Sequence, residues 1–378
     1  MDEASIGGWR KKTLGLLCGL VWVAIAVVTL WPLNPMPKNE VNWLQTVNGI
    51  HFGRKGIVVS SELFSVERQA ESHSCALEIW LSPESEHKVS TILSFYSADN
   101  PRQFIVRQYL DGLILVHQSR TENNQLTTGK LDVEHVLHRL RPTLITISAS
   151  EKGTSVYADG SLVLASPSFR LNQNAFAGRL VIGTSPFFFD PWSGDLRGLA
   201  IYGHELTGAQ VQQHYKRWNF GVETSDLQSD NPVAIYAFDE HEGNVARNKT
   251  GREPDLILAQ RFQIPEKPML QPAWKEFSLT WEYLADVLRN IAGFIPLGIV
   301  FYAYFLLGRI PARAALLTVL IGASTSTMIE ILQAFIPQRY SGTTDIVTNT
   351  LGATLGVMLL RRNVIKMSLT KLYGRLKP

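Results

Sequence analysis

Long apolar runs near both ends of the chain enclose a middle segment in which apolar and polar residues alternate. The first run covers residues 13–33, contains no charge, and follows the basic residues Arg10, Lys11 and Lys12. It is long enough to cross a ~30 Å hydrocarbon layer as a helix. The rival interpretation is a cleaved signal peptide, but the run is longer than the roughly 7–15 apolar residues of a signal core. We therefore expect an uncleaved transmembrane helix after a short N-terminus, residues 1–12.

Three further apolar runs follow one another at the C-terminus, over residues 287–307, 314–336 and 345–360. The breaks between them combine Gly or Pro with charged residues, at Gly308–Pro311 and at Pro337–Gly342. Such breaks are typical of short turns between helices. The sequence therefore predicts a region over residues 281–361 with three more transmembrane helices, four in all, and a basic tail over residues 362–378.

The distribution of Lys and Arg predicts the orientation of these helices. With four spans, the N-terminus, the turn containing Arg309 and Arg313, and the tail lie on one side. Together they carry eleven Lys or Arg against two acids, although the whole chain has a net charge of only +3. Basic segments stay on the cytoplasmic side of a membrane. We expect a multi-pass protein of the cytoplasmic (inner) membrane, with both termini in the cytoplasm and residues 34–280 outside.

Residues 34–280 show the pattern of an all-β domain. Short β-rich runs follow one another between turn residues, for example at residues 77–81, 91–96, 104–109 and 144–149, which is typical of a sandwich. Asp159-Gly160 between two such runs predicts a two-residue hairpin. Thr207 and Gln210 form a capping-box pair, which predicts one short helix from Gly208 to about Trp218.

Composition narrows the class of protein. Charged residues make up 18% of the chain, below the roughly 25% of an average soluble protein, which fits a mixture of water-facing and lipid-facing parts. Only Cys18 and Cys75 are present, so a disulfide scaffold or a Cys-rich zinc site is excluded. The small net charge gives no support for nucleic-acid binding. No metal site is predicted, since His135 and His138 lack further ligands in a metal-binding pattern.

Six polar residues of the C-terminal region share one predicted depth in the membrane. They are Asn290, Glu330, Gln333, Arg339, Asp345 and Asn349. With a rise of ~1.5 Å per helical residue, all fall within roughly 10 Å of the outer surface. Intramembrane polar residues are costly and need a reason. We expect one polar cluster open to the outside, in which Arg339 pairs with Glu330 and Asp345, with Arg289 as the reserve partner. Small residues such as Gly293, Gly298, Gly352 and Gly356 let the helices approach closely, and the alternative is that the cluster only locks the helix bundle.

The C-terminal motifs resemble the VanZ-like family. The match rests on Asn290-Ile291-Ala292-Gly293-Phe294-Ile295-Pro296-Leu297-Gly298, on residues 324–330 with Gln333 and Arg339, and on Asp345 to Ala353 with Gly356. The resemblance implies a four-helix bundle to which the first span contributes. It supplies no biochemical activity, and the large insert departs from the minimal family.

The middle segment resembles the concanavalin-like or laminin-G-like jelly roll. The match rests on residues 75–81, 144–148 with 156–160, 180–183, 194–196, and 199–202 with 206–207. The opening strand of that family resembles residues 235–240, which come last here, so the domain is expected to be circularly permuted. The family implies sugar or protein binding, sometimes through calcium. One loop holds Phe187, Phe188, Phe189 and Trp192, which suit a glycan platform, the core beneath the loop, or a contact with lipid headgroups. Asp99, Asp111 and Asp190 leave calcium open, without the regular spacing of a dedicated site.

The expected fold class is therefore multidomain: four transmembrane helices plus a jelly-roll sandwich inserted between helices 1 and 2. The favoured function is a membrane-anchored cell-envelope protein that presents a carbohydrate- or polymer-binding domain, with a glycan, glycopeptide or lipid-linked envelope molecule as partner. An alternative is a membrane enzyme in which Glu330 or Asp345 acts as acid or base and Arg339 binds phosphate or carboxylate. A structural role in an envelope complex is the third. The sequence contains no soluble-enzyme motif, so it leans away from catalysis.

Overall fold

The chain forms two compact units in a computed structural model that describes residues 3–65, 74–120, 125–220, 228–307 and 311–375. The first unit joins residues 1–36 to residues 267–378 and is helical. The second unit is the β domain, from Pro37 to Glu266. Arg309 and Lys377, which entered the prediction of orientation, lie outside the described residues.

The β domain is built from two antiparallel sheets of eight strands each in the described part of the chain. One sheet has the order β1-β2-β13-β4-β9-β10-β11, with β14 also paired to β13; the other has the order β15-β16-β3-β12-β5-β6-β7-β8. The strands are β1 Val41–Trp43, β2 Ile50–Phe52, β3 Val58–Ser60, β4 Cys75–Pro83, β5 Val89–Tyr96, β6 Phe104–Tyr109, β7 Gly112–Arg120, β8 Leu126–Val133, β9 Thr143–Ser150, β10 Gly153–Ala158, β11 Ser161–Ser166, β12 Arg179–Ile182, β13 Gly194–Tyr202, β14 Ala234–Tyr236, β15 Val245–Ala246 and β16 Leu256–Leu258. The strand residues that point inward form one apolar core between the sheets.

Local sequence signals explain two features of this domain. Asp159 and Gly160 both have positive φ, 48° and 80°, and connect the antiparallel pair β10–β11, as the predicted hairpin requires. Helix α2, Gly208–Phe220, begins with the predicted capping box. The Thr207 amide donates to Gln210 Oε1 at 3.0 Å, and the Gln210 amide donates to Thr207 Oγ1 at 3.4 Å.

The two ends of the β domain lie side by side. The amide of Phe262 donates to the carbonyl of Pro37 at 2.8 Å, and Lys38 forms an antiparallel bridge with Arg261. The last strands, β14 to β16, complete both sheets by pairing with β13 and β3. The chain therefore enters and leaves the domain at one place, as an inserted domain requires.

The helical unit contains four long helices and one short one in its described part. They are α1 Glu3–Leu30, α3 Ala273–Glu276, α4 Trp281–Leu306, α5 Ala314–Ala334 and α6 Thr343–Arg375. Helix α4 begins six residues before the predicted apolar run, because Thr280 caps it: its hydroxyl accepts from the Tyr283 amide at 3.3 Å.

Three of these helices, rather than the predicted four, are long and apolar enough to cross a membrane. Within the described residues they cover Lys11–Leu30, Trp281–Leu306 and Ala314–Ala334. Helix α6 is longer than any of the three, but its membrane-length part carries Asp345, Thr348, Asn349, Thr350 and Thr354 before Arg361. These polar residues lower its hydropathy. The predicted fourth span, residues 345–360, lies in α6 and is not among these three helices.

Helices α4 and α6 approach each other through glycine. A Cβ on Gly352 would overlap the Ile291 carbonyl oxygen, and a Cβ on Gly356 would overlap that of Ile295. Gly298 faces the Ala353 carbonyl in the same way. Glycines spaced four apart let helix backbones come into direct contact. Gly293 was predicted to share this role, but an added Cβ there would have no atom within 4 Å, so Gly293 is not at a close helix contact.

Candidate functional site

Five of the six predicted polar residues line one cavity inside the helical unit. They are Asn290, Gln333, Arg339, Asp345 and Asn349. The cavity lies between the C-terminal half of α1, the N-terminal half of α4, the end of α5 and the start of α6, and its volume is about 960 Å³. Glu330 does not line it. Most of the predicted cluster therefore lies in one place, as the positions of these residues near the helix ends indicated.

Two amides hold the start of α6 against its neighbours. Asn290 Nδ2 donates to Asp345 Oδ1 at 2.7 Å, which links α4 to α6. Asn349 Nδ2 donates to Ser326 Oγ at 2.9 Å, which links α6 to α5. The remaining Asn349 oxygen, Oδ1, has no hydrogen-bond partner among the described residues, although the residue is only 4% exposed. A buried amide oxygen without a donor is costly and calls for an explanation.

Glu330 serves the start of α6 instead of pairing with Arg339. Its Oε2 accepts from the Gly342 amide at 2.8 Å, and Glu276 Oε2 accepts from the Thr344 amide at 3.0 Å. These amides belong to the first turn of α6, where backbone donors are otherwise unsatisfied and where the helix dipole favours negative charge. The predicted pairing of Arg339 with Glu330 and Asp345 is therefore not observed: Glu330 accepts from the start of α6, and Asp345 accepts from Asn290.

Arg339 and Gln333 serve the end of α1. The Arg339 guanidinium donates to the carbonyls of Trp31, at 2.9 Å, and Val28, at 3.3 Å. Gln333 Nε2 donates to the Thr29 carbonyl at 2.8 Å. The last carbonyls of a helix have no partner in the helix itself, and a cation there also matches the dipole.

Lys267 satisfies the end of α5 in the same manner. Its Nζ donates to the carbonyls of Gln333, at 3.0 Å, and Ile336, at 2.6 Å. Burial of the ammonium lowers the pKa of Lys267 to about 8. The sequence analysis missed this residue, since it lies outside every apolar run and outside the predicted VanZ-like region.

The aromatic loop of the β domain is not an exposed platform. Trp192 is fully buried, packs against Phe52, and donates its indole N–H to Gln108 Oε1 at 2.9 Å. Phe187 and Phe189 pack against the rings of Tyr96 and Phe262. Phe188 is the most exposed of the four, at 39%, while Phe187 and Phe189 are half-buried. The loop closes over an apolar cluster, so the rings predicted to bind a glycan fill space beneath the loop instead.

The sequence analysis also missed a buried polar cluster between α2 and the sheet. Glu78 on β4 accepts from His214 Nδ1 at 3.0 Å, from Trp218 Nε1 at 3.1 Å and from Tyr202 OH at 3.2 Å. His214 Nε2 lies 2.8 Å from Asp230 Oδ2. Neither Glu78 nor His214 is exposed, so no substrate reaches them. Glu78, a charged residue inside the apolar run of β4, was the sequence signal that could have predicted this cluster.

The two carboxylates shift the pKa of this histidine. Burial lowers the pKa of His214, but hydrogen bonds and charges from Glu78 and Asp230 outweigh burial and raise it above the ordinary value. The pKa of Asp230 is lowered: burial opposes the shift, and His214, Gln210 and Arg217 drive it. The cluster holds α2 on the sheet as a chain of alternating charges.

The acids considered for calcium are engaged with protein groups. Asp190 accepts from Arg107, at 3.0 Å, and from Thr91, at 2.7 Å. Asp111 lies 2.6 Å from His135, and Asp99 also has an interaction. The described residues contain no group of three or more His, Cys, Asp or Glu arranged to hold a metal. Calcium binding stays a prediction.

Comparison with known proteins identifies two families in the chain. Residues 234–366 match the VanZ/LLP1 family model, and residues 59–212 match a model of the Concanavalin A-like lectin/glucanases superfamily. Each match covers less than half of the chain. The predicted combination of a VanZ-like region with a laminin-G-like sandwich is confirmed. The VanZ match starts at β14, so it includes strands that belong to the sandwich.

Solved structures resemble the chain only distantly. A heptameric SAP-like pentraxin from Limulus polyphemus is 17% identical, with a TM-score of 0.33 over 47% of this chain and 78% of its own. A protein from Bacteroides ovatus named for carbohydrate binding is 15% identical, with a TM-score of 0.40 over 61% of this chain and 62% of its own. The receptor binding domain of botulinum neurotoxin D is 15% identical, with a TM-score of 0.31 over 47% and 45%. No curated protein matches the chain.

Proposed function

We propose that this protein is a multi-pass cell-envelope protein of the cytoplasmic membrane, which holds a carbohydrate- or polymer-binding sandwich on the outer side. Helices α1, α4 and α5 supply three spans, and α6 supplies the fourth. In this proposal α6 crosses despite its polar residues, because those residues face α4, α5 and the cavity. Asp345 and Asn349, for example, bond to Asn290 and Ser326 on the neighbouring helices.

The separation of charge along the helical unit carries the proposal. Lys11, Lys12, Arg313, Arg361 and Arg362 gather where α1 and α5 begin and α4 ends, and Lys11 lies over the ring of Tyr304 on α4. Basic residues near span ends stay in the cytoplasm.

Both connections to the sandwich leave from the opposite end of the unit. The Met36 amide donates to the Phe335 carbonyl at 3.1 Å, and Lys267 donates to the Ile336 carbonyl. The two connections are thus tied to the same turn at the end of α5, and the sandwich itself begins and ends at one place. An outer location of the sandwich follows from the positive-inside rule.

Sugar or polymer binding by the sandwich rests on its match to the lectin/glucanase superfamily. The aromatic loop does not supply the surface, so a binding face is not assigned to particular residues. Incubating cell-wall polymers and membrane glycolipids with the full-length protein in nanodiscs tests this part. Retention of a defined envelope glycan is the expected result.

The membrane-enzyme alternative has weaker support. Glu330 is 1% exposed, lies away from the cavity and accepts a backbone hydrogen bond. Arg339 is committed to backbone carbonyls. An acid or base must reach the substrate directly or through one water. Of the three residues named for catalysis, Asp345 and Arg339 line the cavity.

Cysteine labelling in intact cells tests the orientation. Both native cysteines, Cys18 and Cys75, are buried, so they give a low background. Lys152→Cys lies at the exposed turn between β9 and β10, and Asn363→Cys lies at an exposed position of α6 directly after Arg361 and Arg362. We expect a membrane-impermeant maleimide to label Lys152→Cys in intact cells and Asn363→Cys only after lysis. The reverse pattern would refute the proposed orientation.

A further inference from the structure

The cavity of the helical unit has one apolar wall and one polar wall. Its apolar side chains come from two helices: Val21, Ala24, Ile25 and Val28 on α1, and Val287 and Phe294 on α4. The polar wall comes from the start of α6, from the polar residues of α4, and from the segments that precede α4 and follow α5. Such a division suits a ligand with a polar head and a hydrocarbon chain, and a volume of about 960 Å³ is that of a ligand pocket.

The polar wall presents oxygen atoms that accept hydrogen bonds. Asn349 Oδ1 is buried without a donor, and Thr344 Oγ1, which lines the same cavity one turn earlier on α6, also has no partner among the described residues. Asn290 donates to Asp345 Oδ1, and no side chain among the described residues donates to the other carboxylate oxygen, Oδ2. Because an unpaired buried acceptor is costly, these atoms call for a ligand that donates.

The charges of the cavity favour a neutral head. Among the lining residues, three bases face three acids: Lys275, Arg289 and Arg339 against Glu276, Asp286 and Asp345. Arg289 is paired with Asp286, and Arg339 is held by backbone carbonyls. Because the three charges of each sign cancel, the lining carries no net charge that would attract an anionic headgroup. A hydroxyl-rich head supplies several donors at no cost in charge.

We infer that this cavity binds an amphipathic molecule with a neutral sugar or polyol head, whose hydroxyls donate to Asn349 and Asp345 and whose chain lies along α1 and α4. This inference rests on the proposed membrane insertion of the helical unit, and it adds the class of ligand that the cavity of this unit binds. It places a glycolipid-type ligand in the outer leaflet, apart from any glycan that the sandwich binds.

Gly293 offers a way to fill the cavity without disturbing the packing. It lines the cavity, and an added Cβ there meets no atom within 4 Å. Gly293→Leu therefore places a side chain in the space of the ligand. Gly19→Leu is the matched control, since Gly19 is also an exposed helical glycine with nothing within 4 Å, and it lies outside this cavity. Ala24→Phe narrows the cavity from the other wall, in case Gly293→Leu does not fold.

The test uses the full chain in phosphatidylcholine nanodiscs that contain either a glucosyl diacylglycerol or phosphatidylglycerol with the same acyl chains. Native mass spectrometry counts the lipids that stay bound on release. We expect wild type and Gly19→Leu to retain the glucosyl lipid, and Gly293→Leu and Ala24→Phe to lose it at least tenfold. Asn349→Leu, which removes the unpaired acceptor, should bring its retention down to that of phosphatidylcholine.

Three results would overturn the inference. Equal retention of the glucosyl lipid and phosphatidylcholine would mean that bulk lipid fills the cavity. Preference for phosphatidylglycerol would mean that an anion is recognised. Unchanged binding in both cavity-filling variants would place the lipid elsewhere. None of these results bears on the labelling of Lys152→Cys, so the inference and the proposed orientation fail separately.

Discussion

The buried cluster around His214 gives a prediction that can be worked out in magnitude. His214→Leu removes the group that faces two carboxylates, Glu78 at 3.0 Å and Asp230 at 2.8 Å. Glu78 has no exposure to water, so its charge keeps only the Tyr202, Trp218 and Thr146 donors. Breaking a buried pair by deleting one partner costs about 3–5 kcal/mol. Since about 1.4 kcal/mol is tenfold in an equilibrium constant, α2 should open at least about 100-fold more often.

Hydrogen exchange followed by mass spectrometry on the full-length protein measures this opening. Amides of α2, Gly208–Phe220, should exchange at least about 100-fold faster in His214→Leu, while β5 and β6 in the opposite sheet stay protected. His51→Leu is the matched control, because His51 also pairs with an acid, Asp195 at 2.7 Å, but at the surface. Such exposed pairs contribute below about 1 kcal/mol.

A double variant separates the charge from the packing. Replacing a buried pair with apolar side chains is often neutral, whereas removing one member is not. Glu78→Leu combined with His214→Leu should therefore protect α2 better than His214→Leu alone. If the increase in the α2 exchange rate in the double variant equals the product of the increases in the two single variants, the two residues are uncoupled and the reasoning is refuted.

The same cluster predicts a pH range for the docking of α2. The pKa of His214 is raised in the folded state, so its contribution is complete below about 6.5, the unfolded value, and is lost as the pH rises through the folded pKa. The pKa of Asp230 is lowered, so its contribution is present above about 3.9 and is lost as the pH falls through the folded pKa. Protection of α2, corrected for the intrinsic exchange rate, should be greatest between these limits. A protection that stays level from mildly acidic to alkaline pH would contradict the assignment.

Four further outcomes are expected. Glu330→Gln keeps an acceptor for the Gly342 amide and should insert and assemble like wild type. Glu330→Leu leaves that amide unpaired, so its free energy of unfolding should fall by about 1–3 kcal/mol, which a lower thermal midpoint in detergent would show. Gly352→Leu should break the α4–α6 contact and reduce monodisperse protein in size-exclusion chromatography, while Gly293→Leu should not. Acylation of Lys267, read by peptide mass spectrometry, should reach half its maximal rate near pH 8, far below an ordinary lysine at about 10.4. Trp192→Ala should destabilise the sandwich by about 3–5 kcal/mol in a denaturant titration; a stable variant with weaker glycan binding would restore the platform hypothesis.

The sequence predicted those parts of the fold that depend on local pattern. The strand Phe104–Tyr109 has the predicted bounds, and the Asp159-Gly160 hairpin and the Thr207 cap follow from the chemistry of two or three neighbouring residues. Strand β8, Leu126–Val133, was missed because five of its eight residues are exposed polar or small positions at a sheet edge, which leaves no clear alternation. The three-residue strands β1 to β3 are too short to show a period.

The candidate site shows a similar division. That five of the six polar residues meet in one cavity could be predicted by counting along each helix, since the rise per residue is fixed. Their partners could not, because partners depend on how each helix is rotated and where its neighbours end. Arg339 thus contacts Trp31, far away in sequence, and Trp192 turns inward to fill space between the sheets. Neither contact could be predicted from the spacing of residues along the sequence.

The polar residues of the helical unit divide by the helix ends that they serve. Acids lie at the start of α6, where Glu330 and Glu276 accept backbone amides, and bases lie at the ends of α1 and α5, where Arg339 and Lys267 donate to carbonyls. Each sign matches the dipole of the helix end that it contacts. These four residues are explained by the need to satisfy the backbone groups at helix ends. The Asn349 oxygen is not, because no helix terminus or neighbour in the described part of the chain uses it. What the architecture leaves unexplained is therefore the acceptor inside the cavity, and that is where a ligand has the most to contribute.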